Sequence, residues 1–266
     1  MPYLNIKKLG PLPLVAHTLR HAAESRYIDR IVVSTDDERV AEVSRQYGAE
    51  VPFRRPPKLA GALIKPVVAH AVDLVEKGEG ERVDLVVVLQ ATSPFRTGDQ
   101  IDAALDKLVA EDLDSVISLR QERALTWRIV EGKLEPLFGK AGRRDEMEPL
   151  YREDGAIWVM RRAVLGQEER LGERVGHVLM DKKSSLIVRD IHDFWLAEKL
   201  VRLPRILFRV DGGARIGMGH VYRSLAIAEE IRSISPAADI EFLMSAQHPE
   251  GVQRVSGSGY KVRVLS

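Results

Sequence analysis

The chain contains no cysteine, which excludes both a disulfide framework and a thiolate metal site. It has no excess of either charge. Its 40 Lys and Arg balance 39 Asp and Glu, so no long-range field steers it toward nucleic acid. No window approaches the ~20 apolar residues of a membrane span. The opening residues, MPYLNIKKLG, lack the apolar stretch of a signal peptide. These absences predict a cytoplasmic protein with neither nucleic acid nor membrane as partner. What is present is enough apolar material, 45% of 266 residues, for one large α/β core or for one domain with part of another.

Strand and helix patterns alternate along the chain. Helical spacing of apolar residues runs over 14–25, 40–47, 66–76, 100–110 and 191–202. Gly48 is placed to end the second of these helices. The β-branched run DRIVVST (29–35) predicts a buried strand, and 115–119 and 155–160 predict two more. The run VDLVVVLQ (83–90) is apolar on both faces, the pattern of a central strand in a parallel sheet. Such alternation predicts a doubly wound sheet with its ligand site at the carboxyl ends of the strands. Pro204 interrupts the pattern. A new strand (205–210), the glycine-rich turn DGGARIGMGH and a helix (221–234) then begin a second β-loop-α unit. The predicted domains are therefore 1–203 and 204–266.

The strongest local feature is LQATSPFR (89–96), directly after the central apolar run. Gln90 offers an amide, Thr92 and Ser93 offer hydroxyls, Pro94 adds stiffness and Arg96 a cation. A strand-end loop of this kind can bond sugar hydroxyls and set one positive charge beside a carboxylate or phosphate. It can equally be an ordinary turn with capping hydroxyls.

Three further blocks accompany it: VVSTDDERVAEVSRQYGAEVPFRRPPKLA (32–60), EPLYREDGAIWV (148–159) and RDIHDFWLAEKL (189–200). Together the four resemble the signature blocks of acylneuraminate cytidylyltransferases, in order and spacing, across nearly all of 1–202. The resemblance implies a nucleotide-diphospho-sugar-transferase-like, Rossmann-like α/β domain. It implies transfer of CMP from CTP to a nine-carbon acidic sugar of the sialic, pseudaminic or legionaminic type, with release of pyrophosphate and usually with Mg2+. By the same resemblance Asn5 and Arg55 contact the nucleotide. Gln90, Arg144, Arg152 and the block containing Asp154 surround the sugar. The family commonly forms homodimers.

The match has departures. The expected first strand and glycine-rich triphosphate loop do not precede Asn5, and Leu4 stands where a lysine is expected. Pro66 replaces a serine, and Asp154 replaces an asparagine, adding a negative charge beside an anionic substrate. The family's magnesium-holding aspartate pair aligns with Ile187 and Arg189. Asp190 is the nearest replacement, whereas Asp193 occupies a helix-starting position. These departures lead to the expectation of a weak synthetase. The alternatives are an inactive fragment that binds sugar or a partner subunit, and a sugar nucleotidyltransferase with a different base preference.

The segment VDGGARIGMGHVYRSLAIAEEI (210–231) resembles the opening of UDP-sugar hydrolases of pseudaminic-acid biosynthesis, and equally the spore-coat polysaccharide proteins. That implies the first β-loop-α part of a glycosyltransferase-B-like domain. Gly212, Gly213, Gly217 and Gly219 would form its tight turn, and His220 would be the catalytic base. A hydrolase segment joined to a synthetase would place the chain in surface glycan biosynthesis.

Overall fold

The computed structural model describes residues 3–80, 82–123, 126–136, 149–202, 204–235 and 238–265. The chain divides into two compact units, Met1–Glu198 and Lys199–Ser266.

The first unit opens with a 3-10 turn, Leu4–Ile6, and a short hairpin of β1 (Lys8–Leu9) and β2 (Leu12–Pro13). Helix α1 (Leu14–Ala23) buries Leu14, Val15, Leu19 and Ala22 along one stripe. Helix α2 (Glu38–Gln46) starts at Asp37, whose carboxylate accepts the Arg39 N–H at 2.8 Å. Helix α3 (Ile64–Glu79) carries Pro66 in its first turn, where a missing N–H breaks no helical bond. Strand β3 (Leu85–Val88) leads to α4 (Gly98–Ala110), which Thr97 and Gln100 close with a capping box. Then come β4 (Ser115–Glu122), the hairpin β5 (Trp127–Val130) and β6 (Lys133–Pro136), β7 (Leu150–Arg161), β8 (Val175–Leu179) and α5 (Ile191–Val201).

The main sheet has the order β3-β7-β4-β8, with β7 antiparallel to both neighbours and β4 parallel to β8. Two apolar layers cover it. On one face Ile101, Leu105 and Leu108 of α4 pack on Val87, Val116, Ile157 and Val159. On the other, Val68 and Val72 of α3 pack on Val86, Trp158 and Met160. Burial of each large side chain contributes about 1.5–3 kcal/mol.

Two expectations change here. The run 83–90 forms a strand, but β3 pairs only with β7 among the described residues, and does so antiparallel. Its two-faced apolar pattern comes from α3 on one side and α4 on the other, not from a central place among parallel strands. The run 29–35 stays extended but forms one parallel bridge, Val32 to Glu50, rather than a ladder. Its apolar residues Ile31 and Val33 are still used, packed against Val15, Leu19 and Ala49.

The second unit is a three-stranded parallel sheet of order β11-β10-β9, from β9 (Arg205–Arg209), β10 (Asp239–Ser245) and β11 (Lys261–Leu265). Helices α6 (Gly219–Ile234) and α7 (Pro249–Gly257) make the crossovers. Their core joins Val221, Leu225 and Val255 to Phe242, and Phe208 stacks on Phe242 at 4.9 Å. The turn after β9 depends on glycine. A Cβ on Gly212 would lie 2.5 Å from Val221 Cγ2, and one on Gly251 would lie 2.3 Å from the Gly212 carbonyl oxygen.

Candidate active site

The carboxyl end of β3 gathers the chemistry of the first unit. Gln90 leaves the strand, and its side chain lies over Gly155, where a Cβ would sit 3.0 Å from Gln90 Nε2. Gly155 has φ +64, a conformation in which glycine alone is unstrained. It belongs to a bulge in β7. Between the pairs Ile117–Trp158 and Leu119–Glu153, four residues of β7 (154–157) face one residue of β4, Ser118.

Beneath Gln90 lies a buried polar network. The Arg96 guanidinium is fully buried. Its Nη1 donates to Thr18 Oγ1 at 2.9 Å and its Nη2 to the Gln90 carbonyl. Thr18 Oγ1 also donates to that carbonyl, at 3.3 Å. Burial pushes Arg96 down to about 9, and the Asp154 carboxylate pulls the other way. Asp154 is fully buried as well. Its Oδ1 accepts from Ser118 Oγ and from the Ala156 N–H at 3.0 Å, while Ser118 Oγ accepts from the Ile157 N–H at 2.9 Å. Arg96 Nε and Asp154 Oδ2 have no hydrogen-bond partner among the described residues.

This revises two expectations. Arg96 does not reach outward to a ligand; it fixes the loop from inside. The charge of Asp154 points into the sheet, where Arg96 opposes it, rather than toward a bound anion.

Other segments approach this end. Val188 N–H donates to the Thr92 carbonyl at 2.7 Å, which ties the start of α5 to the loop. Asp190 caps α5, its Oδ1 accepting from the His192 and Asp193 N–H groups at 2.9 and 3.0 Å. Those bonds hold its carboxyl below the usual carboxylate range, the Asp193 N–H contributing most. Asp193 is not the cap; its Oδ2 accepts from the Arg189 N–H at 3.0 Å. Among the described residues no three His, Asp or Glu side chains form a metal-holding group. The Asp190 Oδ2 takes part in neither capping bond.

Asn5 is exposed on the 3-10 turn, which packs against α1 and α2. Lys7, two residues on, lies 5.1 Å from the ring centre of Phe194 on α5. Arg55 hangs beside α2. Its N–H donates to the Thr35 carbonyl at 2.9 Å and its Nη2 to Asp36 Oδ1 at 2.5 Å, while its buried Nε finds no partner among the described residues. Arg152 projects from β7 and pairs with Glu122 at 3.0 Å. Arg144 lies outside the described residues. An open depression of about 450 Å3 lined by Glu76, Gly80, Arg82 and Arg162 lies near the start of β3, the far end from Gln90. Its Glu76 and Arg162 neutralise each other at 3.0 Å.

In the second unit His220 is exposed at the start of α6, and its Nδ1 lies 3.2 Å from Arg223 Nη2. Arginine can only donate, so Nδ1 accepts and the proton of the neutral ring sits on Nε2. Asp211 is held by the Ser245 N–H at 2.7 Å and Arg209 at 2.6 Å. Sequence reasoning did not single out Thr18, Ser118, Arg120 or Glu122.

The described residues include no helix long and apolar enough to cross a membrane. The family described as Cytidylyltransferase matches residues 2–147. A CMP-N,N'-diacetyllegionaminic acid synthase of Legionella pneumophila is 32% identical over 212 residues, covering 76% of this chain and 91% of the relative. A post-translational flagellin modification protein B of Campylobacter coli is 27% identical over 206 residues, covering 74% and 88%. Among solved structures, a 4-diphosphocytidyl-2C-methyl-D-erythritol synthase of Anaerococcus prevotii superposes with a TM-score of 0.56 at 13% identity, covering 75% of this chain and 93% of that one. That likeness shows the shared fold, and the family match over more than half of the chain shows the rest: this chain belongs to the cytidylyltransferase family of nucleotidyltransferases.

Proposed function

We propose that the chain transfers CMP from CTP to a nine-carbon acidic sugar of the sialic, pseudaminic or legionaminic type. The observation that carries this reading is the Gln90 amide over Gly155 at the carboxyl end of β3, with the backbone carbonyl of Gln90 held by buried Arg96. The relatives named for legionaminic, pseudaminic and N-acylneuraminic acids support the substrate class. In the reaction the sugar's anomeric oxygen bonds the α-phosphorus. The bond from that phosphorus to the bridging oxygen breaks, pyrophosphate leaves, and the hydroxyl proton passes to solvent.

Gln90 orients the sugar, with Arg152 and Arg144 meeting its charged groups. Asn5 and Arg55 hold the nucleotide. Magnesium suits one carboxylate together with phosphate oxygens. Asp190 would hold it by Oδ2, and the ion would neutralise charge on the departing pyrophosphate. Dependence on CTP suits a cytoplasmic enzyme. The β5–β6 hairpin exposes Trp127, Ile129 and Leu134, an apolar surface that a second copy would cover in a homodimer. In the second unit, His220 would act as a base only after its Nδ1 exchanges Arg223 for water.

The test is pyrophosphate release with each of the three acids, CTP being compared with UTP, ATP and GTP. The expected result is turnover with CTP alone. Arg55→Ala should raise the KM for CTP about tenfold, the worth of one charge-assisted contact, and leave the KM for the acid unchanged. Turnover with another nucleotide, or an unchanged KM for CTP, would remove Arg55 from base recognition.

A further inference from the structure

Arg120 and Arg152 stand directly opposite each other across β4 and β7. Like charges in that position repel, so an opposed arginine pair needs an anion between its members. Glu122 supplies one. Arg152 Nε lies 3.0 Å from Glu122 Oε1, and Arg120 Nη2 donates to the same oxygen. Glu122 Oε2 takes part in neither contact. All three side chains are partly open to solvent, 26% for Arg120, 27% for Glu122 and 44% for Arg152, so the cluster can be reached.

The cluster shares its sheet face with Ser118, two residues before Arg120 on β4, and so with the buried Asp154 that Ser118 bonds. It lies at the carboxyl end of β4, the end at which the loop after β3 holds Gln90. Both guanidiniums share a single oxygen of a carboxylate tethered to the strand. A free carboxylate can present both oxygens and accept fork-like bonds, the stronger geometry.

We propose that Arg120 and Arg152 form the carboxylate clamp for the acidic sugar, and that Glu122 occupies it until the sugar's carboxylate displaces it. This rests on the reading of the chain as a sugar-acid cytidylyltransferase. Arg120 binds the sugar and does not take part in bond making. Glu122 sets affinity by competing for the same two donors.

The experiment is calorimetric titration of the full chain with N-acetylneuraminic, pseudaminic and legionaminic acids, and separately with CTP, alongside the turnover assay. Glu122→Gln keeps the shape of the side chain and removes the competing charge. It should tighten binding of the preferred acid about threefold, within the range of a partly exposed ion pair. Arg120→Ala should weaken acid binding about tenfold or more, as loss of a charge-assisted hydrogen bond does. CTP affinity should change less than about twofold in both, since neither variant removes a nucleotide contact. Thermal melting identifies any variant that fails to fold, and Arg120→Gln, which stays polar, then replaces the alanine variant.

Unchanged or weaker acid binding in Glu122→Gln overturns the clamp. So does a loss confined to CTP, which would make the arginines a triphosphate site, or an absence of acid binding in parent and variants alike. A parent that binds the acid with the expected shifts yet releases no pyrophosphate leaves the clamp standing and refutes the cytidylyl-transfer reading.

Discussion

Each unit carries a loop from the carboxyl end of a strand into a helix, and the two loops are held by opposite means. The loop after β3 is fixed by side chains: Arg96 and Thr18 converge on the Gln90 carbonyl, and Thr97 caps the helix that follows. The turn after β9 is fixed by their absence, because Gly212 and Gly251 let backbone and helix close to distances a Cβ would block. The first loop therefore depends on charge and the second on shape.

The most disruptive way to break the comparison is Arg96→Met. It removes the buried donors to Thr18 Oγ1 and the Gln90 carbonyl and the cation that opposes Asp154, and each buried acceptor left unpaired costs about 1–3 kcal/mol. Denaturant unfolding of the full chain should show that loss. Asp154→Asn keeps an acceptor for Ser118 and should cost less, about 1–2 kcal/mol. A midpoint for Arg96→Met equal to that of the parent would mean that charge does not hold the loop.

In the second unit Gly212→Ala should cost about 1–3 kcal/mol by overpacking against Val221. Hydrogen exchange gives the address of that effect. Amides of β9 and α6 should exchange faster, whereas those of β3 and β7 keep the parent's rates. Faster exchange in both units would erase the contrast.

The smallest effect sharpens the charge side. Burial, Arg96, His17 and Arg20 push His21 down to about 4. The unfolded chain takes up this proton near its ordinary value of 6.5, before the folded one does. Stability is therefore whole above that value and falls as pH drops toward about 4. Once solvent screening is allowed for, the loss by about pH 5 is on the order of 1 kcal/mol. Melting curves between pH 7.5 and 5 check it, and His21→Gln should flatten the dependence.

Much of this was legible in the sequence. The run 83–90 and the helices at 100–110 and 191–202 fall where periodicity places them, because each turns apolar residues inward: Val86 on the strand, Ile101, Leu105 and Leu108 on the first helix, Phe194 and Ala197 on the second. The position of β3 in the sheet was not legible, since apolar residues on both faces report helices above and below rather than the number of paired neighbours. Arg96 read as an outward cation because nothing local reveals that Thr18, 78 residues away, will meet it. Asp190 rather than Asp193 caps α5 because the helix begins at Ile191, which places the Asp190 carboxylate against the free N–H groups of His192 and Asp193. Arg120 and Glu122 went unnoticed because alternating charges at a strand end look like ordinary surface until the partner strand brings Arg152 opposite.

The bulge in β7 also acts as a counter. It inserts four residues against one, an odd excess of three, and an odd excess reverses which alternate residues point to a given face. Arg152 meets Arg120 only because of that reversal. With the bulge kept at four residues, deleting one residue between Glu153 and Trp158 would bring Tyr151 opposite Arg120, and adding one would bring Glu153 there instead. The spacing between the two halves of this strand thus sets which side chain meets Arg120, independently of the identity of the residues within the bulge.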